Sequence, residues 1–255
     1  MSENLSGLSA RIAALLASPK LADRRGPSAA PWPLALPEPA DVAALYAATD
    51  GLALADGTTL LPRGDIPGTT AWLTHERSLD WPHDLVVVGE REDLVIVLDF
   101  DLEGARSGGG VLEAPTDALS SFRRYSRSLV GYLELRAGLA CGDPAPEVLA
   151  VEASARRDRD ALRAALAAPM YPGSERQEAH AWLVLGGLTA AEGDESAALA
   201  AFERSVAARV KAAARGAGDL ERAAAWRACA ATARESGPPT LADLCTGRAG
   251  RAGAK

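Results

Sequence analysis

The stretch LVVVGEREDLVIVLDF, Leu85 to Phe100, holds two apolar runs around a charged turn. Val86–Val88 and Leu94–Leu98 are rich in β-branched residues, and Gly89 to Asp93 between them is charged apart from its glycine. That pattern predicts a hairpin of two central strands. Shorter apolar runs, Leu52–Leu54, Thr59–Leu61 and Val111–Glu113, are bounded by turn formers such as Asp56-Gly57 and Pro62-Arg63-Gly64 and read as further strands.

Helical spacing surrounds these strands. Val42, Leu45 and Tyr46 share one face of a helix over Asp41–Thr49 that stops at Asp50-Gly51, where glycine suits a left-handed cap. A closing helix is expected after Ser120 or Ser121, with Phe122, Tyr125, Leu129 and Leu133 inward. At the start of the chain, Leu8, Ile12, Leu15 and Leu16 mark a helix within Leu5–Leu21, and five prolines between Gly26 and Pro39 then read as an extended tether. Beyond Gly142-Asp-Pro-Ala-Pro146 the strand signal ends. Four helical stretches are expected, at about 147–168, 174–192, 195–214 and 219–236. The expected fold class is therefore α+β in front and all-α behind. Its segments are a helix and tether at 1–33, an α+β domain at 34–140, helical hairpins at 145–245 and a disordered tail at 246–255.

Composition excludes several function classes. A formal net charge of −7 does not suit a nucleic-acid binder, which needs a basic face, and fits either a soluble chain or one whose partner is basic. The three cysteines, Cys141, Cys229 and Cys245, are too far apart for a CxxC metal pair or a disulfide framework, so a reducing, cytoplasmic setting is expected. The start of the sequence lacks the pattern of a signal peptide, and no apolar run reaches the roughly 18 residues that a membrane span needs. No membrane, no nucleic acid and no cofactor are expected.

Two resemblances emerge. Leu36-Pro37, the helix through Leu45-Tyr46, Thr49-Asp50-Gly51, the strands Val86–Gly89 and Val95–Asp99, and Ser121-Phe122 with Tyr132-Leu133 together resemble the SUKH superfamily (Smi/Knr-type domains) over about residues 34–137. An aromatic usual between the central strands is missing here. The resemblance implies one sheet with flanking helices and a role in binding proteins, in bacteria often as immunity proteins that neutralise a toxin. Trp182-Leu-Val-Leu185-Gly186, Gly193-Asp194, Ala198 and Phe202 are similar to one tetratricopeptide repeat, with Thr189 where its tyrosine stands. Trp226, Cys229, Ala230 and Gly237 echo its first half about 44 residues later, and Asp160-Ala161-Leu162 with Ala165 echoes its second half about 37 residues earlier.

The enzymatic alternative is a metal-dependent phosphatase. The apolar strand ending in Asp99-Phe100-Asp101 is similar to the opening of haloacid-dehalogenase phosphatases, where one carboxylate attacks phosphorus and both help hold magnesium. Glu103 stands where that motif has threonine or valine, and the pattern downstream is helical rather than that of a parallel sheet. His75 and His83 read as loop residues, His180 as a helix-surface residue, Gly108-Gly-Gly as a flexible loop, and Cys229 and Cys245 as small buried apolars. Trp72 and Trp81 are expected in the core; exposed, they would mark a partner hot spot.

The expected function is a non-enzymatic protein-binding module, either a toxin-neutralising immunity protein or an intracellular adaptor. Two docking faces are expected. One is an acidic edge, Glu90, Glu92, Asp93, Asp101 and Glu103, which would attract a basic toxin domain or signalling protein. The other is a groove lined by His180, Leu183, Val184 and Gly187, whose small and apolar residues are no carboxylate clamp and would either take an apolar helix from a partner or be filled by the chain's own neighbouring helix.

Overall fold

The computed structural model describes residues 2–76, 85–100, 110–115, 122–171, 174–213 and 218–253. It divides into two compact units, Met1–Ala145 and Pro146–Lys255. No described helix is long and apolar enough to cross a membrane.

The front unit contains α1 (Ser2–Leu16), β1 (Leu21–Arg24), α2 (Ala40–Ala48), β2 (Leu52–Leu54), β3 (Thr58–Leu60), α3 (Ile66–Glu76), β4 (Leu85–Arg91), β5 (Leu94–Asp99), β6 (Val111–Pro115), β7 (Arg123–Ser126) and α4 (Leu129–Arg136). The seven described strands form one sheet in chain order, β1 to β7, with every pair antiparallel. One face packs Val86, Val88, Ile96, Leu98 and Val111 against Ile12 and Leu15 of α1, Leu45 and Tyr46 of α2, and Leu129 and Tyr132 of α4. Val87, Val95, Val97, Leu112 and Ala114 on the opposite face are buried as well. Burial of both faces explains why β4 and β5 read as continuous apolar runs without alternation. Gly89 sits at a register shift in β4, where a Cβ would lie 2.4 Å from the Thr59 carbonyl oxygen, so glycine lets β3 approach.

Several segments differ from the sequence expectation. The first 33 residues join the front unit, and the segment read as an extended tether is not free. Ile12 and Leu15 belong to the core, β1 pairs with β2, and the proline-rich segment is tied down. Asp50 N–H donates to Gly26 O at 2.6 Å, Ser28 N–H to Tyr46 O at 2.9 Å, and Arg63 Nη1 to Ala30 O at 2.7 Å, while Arg63 Nη2 pairs with Glu38. The closing helix begins at Leu129 rather than near Ser121. Its cap is Ser128, whose Oγ accepts from Gly131 N–H at 3.0 Å, and Asp41 Oδ2 accepts from Leu129 N–H at 2.6 Å. Tyr125 belongs to β7 and meets Tyr132 edge-on at 6.1 Å. The stretch at Gly142 to Pro146 is also fastened: Arg127 N–H donates to Asp143 O and Ala145 N–H to Tyr125 O, at 3.0 and 3.1 Å.

The rear unit contains α5 (Pro146–Arg156), α6 (Arg159–Ala167), α7 (Glu175–Ala191), α8 (Glu195–Lys211), α9 (Gly218–Ser236) and α10 (Pro239–Gly253). They form three helical hairpins, α5/α6, α7/α8 and α9/α10, and α5, α7 and α9 pack in succession. The expected single helix over 147–168 breaks because Arg157 takes φ 54° and Asp158 caps α6, its Oδ1 accepting from Ala161 N–H at 3.0 Å. The expected disordered tail is helical to Gly253, because Cys245 and Ala249 bury their side chains against α9.

Candidate functional site

Three glycines and small residues set up the groove face of the rear unit. Gly186 admits the Phe202 ring: a Cβ there would lie 2.4 Å from Phe202 Cε1, so α7 and α8 close tightly. Gly193, at φ 84°, ends α7, and Asp194 caps α8 by accepting from Ala197 N–H at 3.0 Å. Gly187 then brings α9 onto α7; its absent Cβ would stand 2.6 Å from Thr232 Cγ2.

Between α7, α8 and α9 lies a groove of about 540 Å³. Its apolar lining includes Ala179, Leu183, Ala225 and Ala228, with His180 exposed on α7. Arg176, Arg209 and Glu221 add charge. Arg209 Nε donates to Glu221 Oε2 at 2.9 Å, which neutralises one of the two cations, while Arg176 remains exposed. The expected groove residues thus divide. His180 and Leu183 line it. Val184 packs on the other side of α7, with the cluster of Ala150, Leu162 and Leu185. Gly187 is buried beneath α9 rather than open to a partner. Sequence reasoning missed Arg176, Arg209, Ala225 and Ala228, because the groove spans three helices and one repeat motif does not show the neighbours' faces.

The acidic edge rests on the β4–β5 hairpin. Glu90, Glu92 and Asp93 are exposed there, and Glu92 takes φ 54° in the turn. Asp101 and Glu103 lie outside the described residues. Arg91, between two of the acids, turns inward: its Nε and Nη2 lie 3.2 and 3.1 Å from the Glu113 carboxylate. Glu113 is 3% exposed and also accepts from Tyr132 Oη and Arg136 Nη2, each at 2.6 Å. Burial alone would raise its pKa, but the hydrogen bonds from Arg91 and Tyr132 and the Arg136 charge outweigh burial and hold it below the usual glutamate range. The hairpin tip is thereby anchored to the core.

Comparisons with protein-family models, curated proteins and solved structures give no match.

Other expected chemistry finds little support in the geometry. Asp99 is 6% exposed on an antiparallel strand, so the parallel sheet of the phosphatase reading is not what these residues build. Asp101, Trp81, His83 and Gly108-Gly109 lie outside the described residues. His75 falls within α3 rather than in a loop. Trp72, expected in the core, is 47% exposed on α3. Glu134, Cys141 and Asp143 place ligand atoms within 4.8 Å of one another. A cation already serves them: Arg11 donates to both Glu134 oxygens at 2.8 Å and to Asp143 Oδ1 at 3.0 Å, which clasps α1 to α4. Cys229 and Cys245 are buried, as small apolars would be, and burial pushes the Cys229 thiol up to about 12.

Proposed function

We propose that this chain is a non-enzymatic protein-binding module, serving as a toxin-neutralising immunity protein or an intracellular adaptor, with a SUKH-like front and a tetratricopeptide-like rear. The observation that carries the reading is the groove between α7, α8 and α9, lined by alanines and Leu183 together with Arg176, His180, Arg209 and Glu221. Such a site seats an apolar anchor from a partner helix, and the exposed Arg176 and His180 add polar contacts around it. The stacking of α5, α7 and α9 along one side supports the tetratricopeptide-like reading, and the helix-flanked antiparallel sheet supports the SUKH-like one.

A second docking face has its own support. Residues 1–145 carry 20 acidic and 12 basic side chains, a net −8, whereas residues 146–255 carry 14 and 15. The acidic character therefore belongs to the front unit, and Glu90, Glu92 and Asp93 present it on an anchored hairpin. A basic partner would be steered there, with an association rate that falls steeply as salt is added.

The test is capture of a partner from lysate by the wild-type chain and by two variant sets. Arg176→Glu and the groove-filling Ala228→Trp weaken capture at least about tenfold if the groove is the anchor. Glu90→Lys with Glu92→Lys weakens it only if the acidic edge takes part. Full capture by every folded variant would sink both surfaces.

A further inference from the structure

The hairpins α7/α8 and α9/α10 share a frame with a 44-residue offset. Arg204 lies over Trp182 at 4.6 Å and Arg248 over Trp226 at 4.8 Å, each pair spanning an equal length of chain. The same offset carries Gly193 to Gly237 and the buried Ala198 to the buried Ala242. It also carries the α7 residues on the α9 side, Leu183 and Gly187 packed against α9 and Arg176 and His180 lining the groove beside it, onto Arg227, Ala231, Leu220 and Ala224 of α9. That second stripe has no helix on it among the described residues: Leu220 is 74% exposed, and Arg227 and Ala231 are exposed too.

The first hairpin supplies the matching half. Arg157-Asp158 ends α5 as Gly193-Asp194 ends α7, each with a left-handed residue and then a capping aspartate. Counted from these turns, Leu149 of α5 corresponds to Leu185 of α7. Leu185 is 4% exposed, packed with Leu162 and Ala165 of the preceding hairpin, whereas Leu149 has no preceding hairpin on it among the described residues and is 40% exposed. Glu152, on the next turn of α5, is exposed as well.

We propose that the helical unit continues its own stack between molecules: α5 of a second copy seats on the α9/α10 end of the first. The interface repeats the one by which α7 sits on α5/α6. Leu149 and Leu220 leave water, and Glu152 brings a carboxylate to an end that carries Arg227. The two faces differ, so the contact is heterologous and leads to open-ended growth unless its rotation closes a ring.

Sedimentation velocity of the full chain over about a hundredfold range of concentration tests this. The wild-type sedimentation coefficient rises with concentration. Leu149→Glu removes one face, and Leu220→Glu with Ala231→Glu removes the other; all three positions are exposed, and circular dichroism checks the fold. Each variant alone stays monomeric, and an equimolar mixture of the two forms a dimer that does not grow further, because one intact face of each kind remains. A wild-type chain that stays monomeric throughout overturns the proposal. So does a mixture that stays monomeric while the wild type associates, or one that grows beyond a dimer.

Discussion

Arg157 occupies the place that Gly193 holds one hairpin later. In both turns the residue has positive φ, and the backbone closes the helix end in the same way: Arg157 N–H donates to Ser154 O and Asp158 N–H to Ala153 O, as Gly193 N–H does to Ala190 O and Asp194 N–H to Thr189 O. A Cβ in this conformation costs about 1 kcal/mol. Arg157→Gly is therefore expected to stabilise the chain by up to about 1 kcal/mol in urea unfolding, since the Arg157 side chain is exposed. A loss of stability would mean that the Arg157 side chain contributes more than its strain costs. Glu113 acts in the opposite sense. Its folded pKa lies below the ordinary value of 4.5, so its contribution is full above that value and is lost as pH falls through the folded one. Glu113→Gln leaves Arg91 and Arg136 facing a neutral amide in a buried site and is expected to cost about 3 kcal/mol near neutral pH. The penalty should shrink in acid, and melting curves at neutral and acidic pH read it directly. An equal penalty at both would show that shape, and not charge, is what Glu113 supplies.

At the scale of elements, the chain was legible where pattern and burial agree. The β4–β5 hairpin was visible because both of its faces are buried, so Val86–Val88 and Leu94–Leu98 carry no polar interruption. The α7/α8 hairpin was visible because Trp182, Gly186, Gly193 and Phe202 each have a specific packing or turn role. β7 was hidden: Arg123-Arg-Tyr-Ser pairs with β6 through its backbone, while Phe122, Tyr125, Leu129 and Leu133 happen to carry helical spacing. α10 was hidden because glycine and arginine mask a face made of Leu241, Ala242, Cys245 and Ala249. The groove was half legible. His180 and Leu183 follow from the repeat, but Ala225 and Ala228 depend on how α9 lies, and that is set by contact at Gly187. Gly187→Val, with two methyls directed at Thr232, is expected to push α9 away and cost about 1–3 kcal/mol. Because α9 forms one wall, the same variant should also weaken partner capture. Wild-type stability in this variant would show that the α7–α9 seam is loose.

For the whole molecule, charge and apolar surface are apportioned between the two units. The front unit holds the net negative charge and an anchored acidic tip, while the rear unit is near neutral and holds the groove. Its boundary also behaves differently from a free linker. Residues 142–145 are hydrogen-bonded beside β7, and the proline-rich segment is held by Arg63 and Asp50. Limited proteolysis is therefore expected to spare both places, and early cutting within either would contradict the fastening. The central claim is that a partner docks in the groove between α7, α8 and α9. The most direct measurement is hydrogen–deuterium exchange of the chain with and without the captured partner. Slowed exchange concentrated in residues 176–187 and 221–232 is the expected result. Slowing confined to residues 85–99 would move the site to the acidic hairpin, and unchanged exchange across both regions in a saturated complex would contradict the account.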